Sequence, residues 1–445
     1  MKIYFPNVKY YKISDNFHMI YINTKTNIFY ASVNINIGSV NEEPGEQGLA
    51  HFFEHMIFKG TKNFTSQDIL LTLDSIGANY NASTSYEQTE YYISGKTSDY
   101  SVILSTLLDL FLNPVFPQED IAKEINVVLE ELRMNQDNLN KLTLFKLMNL
   151  IYNQTDLKYS IPVIGLEADI NNITRENLLK FHSKYVQGTK ILSIISSVAE
   201  DKIFETIKPI FGNKFISQTK WKPNFIYLEP KLIVRFLNND LENKQNYPLI
   251  QIINSPQIKQ TLVFIGFKSI DTYSKWTYVS DIVENILTGG MTSRLFVLLR
   301  NKLGLTYYQN SFNKTFSSHG FFCVSYGVQP SGLEISLLNV LKEILTFSES
   351  KITKEEISKA KNTLETSIIF SLETPTDLGA NIINHVIAKI NPNEIKHTHK
   401  NIKKITHKYI SQFAKKIFTK SNLHIVINGP NQITKSQIEH IVMQL

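Results

Sequence analysis

The chain has 445 residues, with 46 Lys or Arg against 40 Asp or Glu and a net charge of +6. That length favours two or more packed domains, and the interspersed charges exclude the clustered basic surface of a nucleic-acid-binding protein. A single cysteine, Cys323, excludes an intrachain disulfide and suits the cytoplasm or another reducing compartment.

Residues 1–20 carry no signal-peptide or transit-peptide pattern, and no apolar run is long enough to span a bilayer, so no membrane role is expected. The richness in Asn, Lys and Ile points to an AT-rich genome: a small-genome bacterium, an organelle-bearing parasite or a large virus. For a virus, the host cytoplasm or the virion would be the compartment.

A strand-like run, residues 28–40, ends at Gly38-Ser39. A helical pattern follows and carries His51-Phe52-Phe53-Glu54-His55. Residues three and four apart on a helix are neighbours, so His51 and His55 stack with Glu54 beside them. Two histidines at this spacing suit one tetrahedral zinc, and the carboxylate suits a base. A satisfied core histidine is the blander explanation of any one of these residues. It explains two histidines and a glutamate on an otherwise apolar helix poorly.

Pro117, Glu119 and Asp120 mark the start of a long helix. Its stripe is Ile121, Ile125, Val128 and Leu132, with Glu124 and Glu131 close to that buried side and Glu130 facing solvent. A catalytic zinc takes three protein ligands and keeps one position open. Glu131 is the best third candidate, with Glu124 as an accompanying group that orients ligands or holds a proton. A closed structural site is disfavoured, because such sites use four ligands, often cysteines.

Residues 216–245 are expected as a linker, with a strand-like patch at 232–236. They separate an N-terminal zinc-binding catalytic domain, residues 1–215, from a homologous C-terminal domain, residues 246–445, without metal ligands. Strand runs alternate with helices in both, which predicts an α+β fold with an internal duplication. Across the repeat, His51, Glu54 and His55 align with Asp281, Glu284 and Asn285, and Glu124 and Glu131 with Ala360 and Ser367. One metal site per chain is therefore expected. Residues 397–420 read as one amphipathic helix with a solvated lysine face. His397, His399 and His407 lack the carboxylate or thiolate company of a metal site.

Together these residues resemble the inverted-motif (HxxEH) zinc metallopeptidases, the inverzincins of the pitrilysin, insulin-degrading enzyme and mitochondrial processing peptidase group. The resemblance spans nearly the whole chain. Its most specific part is residues 48–61, and it includes the spacing from His55 to Glu131, the strand-like residues 77–84, and Ser293-Arg294-Leu295-Phe296 with Leu299-Arg300 and Gly304-Leu305-Thr306-Tyr307. It implies two similar halves enclosing a chamber, and an endopeptidase acting on peptides or unfolded segments. One Zn2+ per chain would be held by His51, His55 and Glu131, with Glu54 and Glu124 as catalytic groups.

Substrate would add as a strand near Asn81 and Ala82, with Arg300 and Tyr307 reaching its backbone from the other half. The resemblance further implies a homodimer, or pairing with a degenerate homologous chain. The alternative is a catalytically silent or partner-dependent subunit with a structural or binding role. One departure stands out. Where the processing peptidases carry acidic residues that recognise a basic presequence residue, this chain has Lys141 and Phe145, which argues against presequence processing.

Overall fold

Strands rich in Ile, Val, Phe and Tyr pair into two separate sheets. The computed structural model describes residues 5–153, 155–216, 219–226, 228, 231, 248–430 and 433–445. The first sheet contains β1 (Val8–Ser14), β2 (Phe17–Asn23), β3 (Ile28–Ile35), β4 (Asn79–Thr84), β5 (Thr89–Lys96), β6 (Lys190–Ser196) and β7 (Thr219–Lys220), in the order β4-β5-β3-β6-β2-β1-β7. The second contains β8 (Leu249–Asn254), β9 (Thr261–Ser269), β10 (Gln309–Thr315), β11 (Gly320–Val328) and β12 (His424–Gly429), in the order β10-β11-β9-β12-β8.

Five strands of the first sheet, β4-β5-β3-β6-β2, therefore repeat in the second as β10-β11-β9-β12-β8. Each set has one parallel pair at the same place, β2 with β6 and β8 with β12. The α+β duplication is thus one of topology as well as of sequence.

The first-half helices are α1 (Leu49–Met56), α2 (Ser66–Ser75), α3 (Tyr100–Leu112), α4 (Gln118–Asp137) and α5 (Leu139–Tyr152). Phe52, Phe53 and Met56 of α1 are wholly buried in the first core, which fixes which side of α1 remains for His51 and His55.

The halves exchange equivalent helices. Helix α5 belongs by sequence to the first half, yet its Leu147 and Ile151 pack on Leu262, Phe264 and Val426 of the second sheet. Its counterpart, Pro375–Ile387, places Leu378, Ile382 and Ile383 on Ile20, Ile22, Tyr30 and Ile195 of the first. A glycine stands at each approach. A Cβ on Gly266 of β9 would lie 2.9 Å from a Leu147 methyl, and one on Gly379 would lie 2.7 Å from Ile195 Cδ1 and from the Tyr30 ring.

Polar contacts also cross the seam: Gln88 Nε2 to Asn384 at 2.9 Å, Asn428 Nδ2 to Thr143 at 3.0 Å, and the Ser317 N–H to Glu87 at 2.9 Å. Each such bond contributes about 0.5–1.5 kcal/mol, whereas each fully buried aliphatic side chain contributes about 1.5–3 kcal/mol. The exchanged helices therefore hold the halves together, and the polar contacts set their register.

Two expectations need correction. Residues 397–420 are not one helix. They divide into Glu394–Lys404 and His407–Ile417, because Thr406 takes extended backbone angles and starts a new helix. The helical spacing misled because Ile402, Ile405, Phe413 and Ile417 all reach the same core from either side of the break. The first sheet also runs into the expected linker: Thr219 and Lys220 pair with β1, and Trp221 stacks on His18 at 4.1 Å. The patch 232–236 lies outside the described residues. Among the described residues, no helix is long and apolar enough to cross a membrane.

Candidate metal centre

Helix α1 starts at Gly48, whose φ of 100° is a left-handed conformation that glycine adopts without penalty. Its free N–H groups are met by a residue the sequence reading missed. The buried Glu42 carboxylate accepts the Gly48 N–H at 3.1 Å and the Ala50 N–H at 2.8 Å. Its two oxygens satisfy donors that have no partner within the helix. Glu42 sits in an irregular loop, where no periodicity marks it. The available signal was an acidic pair, Glu42-Glu43, shortly before a glycine-initiated helix.

Helix α4 crosses α1 and brings its two glutamates to the histidines. Glu131 Oε2 lies 3.5 Å from His55 Nε2 and 3.7 Å from His51 Nε2. Donor atoms of His51, His55 and Glu131 all fall within 4.8 Å of one another, and they form the one group of this kind among the described residues. Ligands about 2.0–2.2 Å from a tetrahedral zinc sit roughly 3.3–3.5 Å apart. The observed separations are near that spacing. The residues fit zinc.

The other nitrogen of His55 is held firmly. Its Nδ1 lies 2.8 Å from Glu124 Oε1, and the second Glu124 oxygen accepts from Lys59 Nζ at 2.5 Å. A carboxylate behind a metal-binding histidine fixes the ring and raises its basicity. His51 has no such support, and its Nδ1 is buried without a hydrogen-bond partner.

The electrostatics follow this asymmetry. Burial and the adjacent His55 push His51 down to about 4. Burial also opposes charge on His55, but hydrogen bonds to Glu124 and Glu131 outweigh it and raise its pKa to about 9. Glu131 is lowered by its bond to His55. Burial opposes ionisation of Glu124, yet its bonds to His55 and Lys59 leave it lowered. Burial raises Glu54, whose Oε2 accepts from Thr84 Oγ1 at 3.3 Å. Thr84 was not anticipated; it ties Glu54 to β4.

Strand β4 is the edge of its sheet and packs beside α1. The Ala82 N–H is met by its neighbour's Asn81 Oδ1 at 2.9 Å rather than by β5, so that backbone donor faces the open edge. Arg300 and Tyr307 are brought to each other: the guanidinium lies 5.1 Å from the Tyr307 ring and 5.1 Å from that of Phe296, and Tyr307 is exposed. Arg294, by contrast, joins Glu343, Glu356 and Ser350 within the second half, which makes it a packing residue.

Residues 18–162 match the family described as Insulinase (Peptidase family M16), and residues 172–364 match the Peptidase M16 inactive domain. An uncharacterized zinc protease of Rickettsia bellii is 31% identical over 94% of this chain and 95% of its own length. The chain belongs to peptidase family M16. Another M16 relative, the mitochondrial-processing peptidase subunit beta of Bos taurus, is 28% identical over 77% of this chain and 68% of its own length. The crystal structure of a protease from Helicobacter pylori shares the M16 fold, with a TM-score of 0.82, 22% identity, and coverage of 96% of this chain and 100% of that one.

Proposed function

We propose that the protein is a zinc metalloendopeptidase that cuts peptides or unfolded segments, with one Zn2+ held by His51, His55 and Glu131. The observation that carries this reading is the convergence of those three donors within 4.8 Å, with His55 backed by Glu124 and the half-buried Glu54 alongside. Zinc bound there supplies a Lewis acid that polarises the scissile carbonyl and acidifies water.

Glu54 takes the water's proton and delivers it to the leaving amine. Burial raises its pKa above the ordinary carboxylate value, which favours its holding the proton between the two steps. Glu124 orients His55. An extended substrate adds to the open edge of β4 and displaces the Asn81 side chain from the Ala82 N–H. The Arg300–Tyr307 pair reaches the substrate from the second half.

Lys141 shapes the choice of substrate. Its ammonium bonds Asn135 Oδ1 at 2.8 Å, and its charge contributes to lowering Glu131. A positive charge so near the site repels Arg and Lys side chains of a substrate, in contrast to the presequence recognition implied for the processing peptidases.

The test is cleavage of a quenched peptide library by the purified protein and by Glu54→Gln, each with zinc content measured. Wild type is expected to cut, and to stop when chelated. Glu54→Gln is expected to bind zinc without cutting. Activity surviving in Glu54→Gln sinks the mechanism, and an inactive wild type with one zinc per chain favours a silent or partner-dependent subunit.

A further inference from the structure

The turn after α1 carries a lysine with a buried partner. Ile57–Lys59 extends α1 by one tight turn, and Gly60 then takes a φ of 132°, a region that favours glycine. Ile57 is wholly buried. Beyond the turn, the Thr61 N–H reaches Phe64 O at 2.8 Å, and the Thr61 hydroxyl reaches the buried Asp109 carboxylate at 2.5 Å. The chain is therefore fixed on both sides of Lys59, whose ammonium bonds Glu124 on α4.

Glu124 has two oxygens and two partners. Oε1 lies 2.8 Å from His55 Nδ1, and Oε2 accepts from Lys59 Nζ. The Glu124 side chain is only 6% exposed, and among the described residues Lys59 is the one Lys or Arg that pairs with it. The last torsion of a glutamate is broad. A carboxylate held by one oxygen can therefore turn, whereas one held by both cannot turn without giving up a partner.

Packing alone does not require this arrangement. In the second half the counterparts of α1 and α4 are Thr277–Thr288 and Lys354–Phe370. They are joined by Lys359 Nζ, which donates to Gly289 O at 2.8 Å and to Thr292 Oγ1 at 2.7 Å, with no acid in the contact. Ala360 stands there in the place of Glu124.

We propose that Lys59 is a positioning residue for the metal centre. It holds the Glu124 carboxylate so that Oε1 stays on His55 Nδ1 and His55 Nε2 stays turned toward Glu131. Lys59 acts through Glu124 and does not touch the metal. This inference rests on the zinc reading above and adds to it a residue that the reading leaves without a role. The sign of the effect separates positioning from bare charge. An ammonium repels a dication, so a lysine that acted only as a charge would weaken zinc binding, and its removal would tighten it. Positioning has the opposite sign.

The test is zinc affinity, measured on the full chain by competition with a chromogenic chelator. Lys59→Met is expected to bind zinc at least about threefold more weakly than wild type, a smaller loss than the about 10- to 100-fold expected when the orienting carboxylate itself is removed. Lys59→Arg, which keeps a charged donor, is expected to stay closer to wild type. In a Glu124→Gln background Lys59→Met is expected to cause no further weakening, because the group it acts through is gone. Lys59→Gln serves as the second neutral variant, with circular dichroism of each metal-free protein confirming its fold. Unchanged or tighter zinc binding in both neutral variants overturns the proposal. So does an equal further loss in the Glu124→Gln background, which would mean that Lys59 acts elsewhere. A wild type that binds no zinc overturns the zinc reading and this inference with it.

Discussion

Glu42→Gln tests how the helix that carries His51 and His55 is held. Glu42 is buried, and burial raises its pKa from 4.5 to about 8, against the opposing effect of the Ala50 and Gly48 N–H groups. A carboxyl raised in the folded state holds its proton more tightly than the unfolded chain does. Its contribution to stability is therefore complete below about 4.5 and is lost as pH rises through about 8.

Glutamine has nearly the same shape and cannot ionise; its single amide oxygen keeps an acceptor for one of the two N–H groups, which Glu42 Oε2 and Oε1 meet separately, so a loss that does not vary with pH is added to the pH-dependent difference. Each pH unit in this window corresponds to at most about 1.4 kcal/mol, so between about pH 5.5 and 8 the wild type should lose about 3 kcal/mol that the variant keeps. The assay is urea unfolding of both proteins in chelator at the two pH values, followed by circular dichroism. The stability difference should move toward the variant by that amount as pH rises. Parallel pH curves would refute the reasoning: they would mean that the α1 N-terminus outweighs burial and keeps Glu42 ionised throughout.

Other perturbations separate the remaining roles. Glu124→Gln should lower zinc affinity by about 10- to 100-fold, measured by competition with a chelator, because His55 loses its orienting carboxylate. Gly379→Ala should destabilise by about 1–3 kcal/mol, read in urea unfolding, because the added methyl meets Ile195 and Tyr30 where the exchanged helix docks. Lys141→Glu should shift cleavage of a peptide library toward substrates with Arg or Lys near the scissile bond, and an unchanged profile would remove Lys141 from substrate choice.

What could be read from the chain was what repeats at short range. His51 and His55 are four residues apart on one helix, and Glu124 and Glu131 are two turns apart on another, so their shared faces follow from helical geometry alone. That the two faces meet is a long-range fact, and here the family resemblance supplied what periodicity could not. The unexpected contacts join irregular chain to regular chain. Glu42 reaches α1 from a loop, Lys59 reaches Glu124 from just beyond the end of α1, and Thr84 reaches Glu54 from a sheet edge. None lies at a spacing that a pattern reports.

The exchange of helices was hidden for a related reason. The apolar face of α5 suits its own half as well as the other, and hydrophobicity does not name a partner. Gly266 carried the only local hint, as a glycine inside an otherwise bulky strand, a position that often marks close backbone approach. The same reasoning explains why the second half has the fold without a group like His51, His55 and Glu131. Its sheet and exchanged helix are needed to cover the first half, whereas Asp281, Asn285, Ala360 and Ser367 stand where no structural contact requires a histidine or glutamate. The His51–His55–Glu131 group and the packing are therefore separable in this duplication. Substitutions at His51 or Glu131 should cost metal binding and leave the fold standing, while those at the exchanged helices should cost both halves at once.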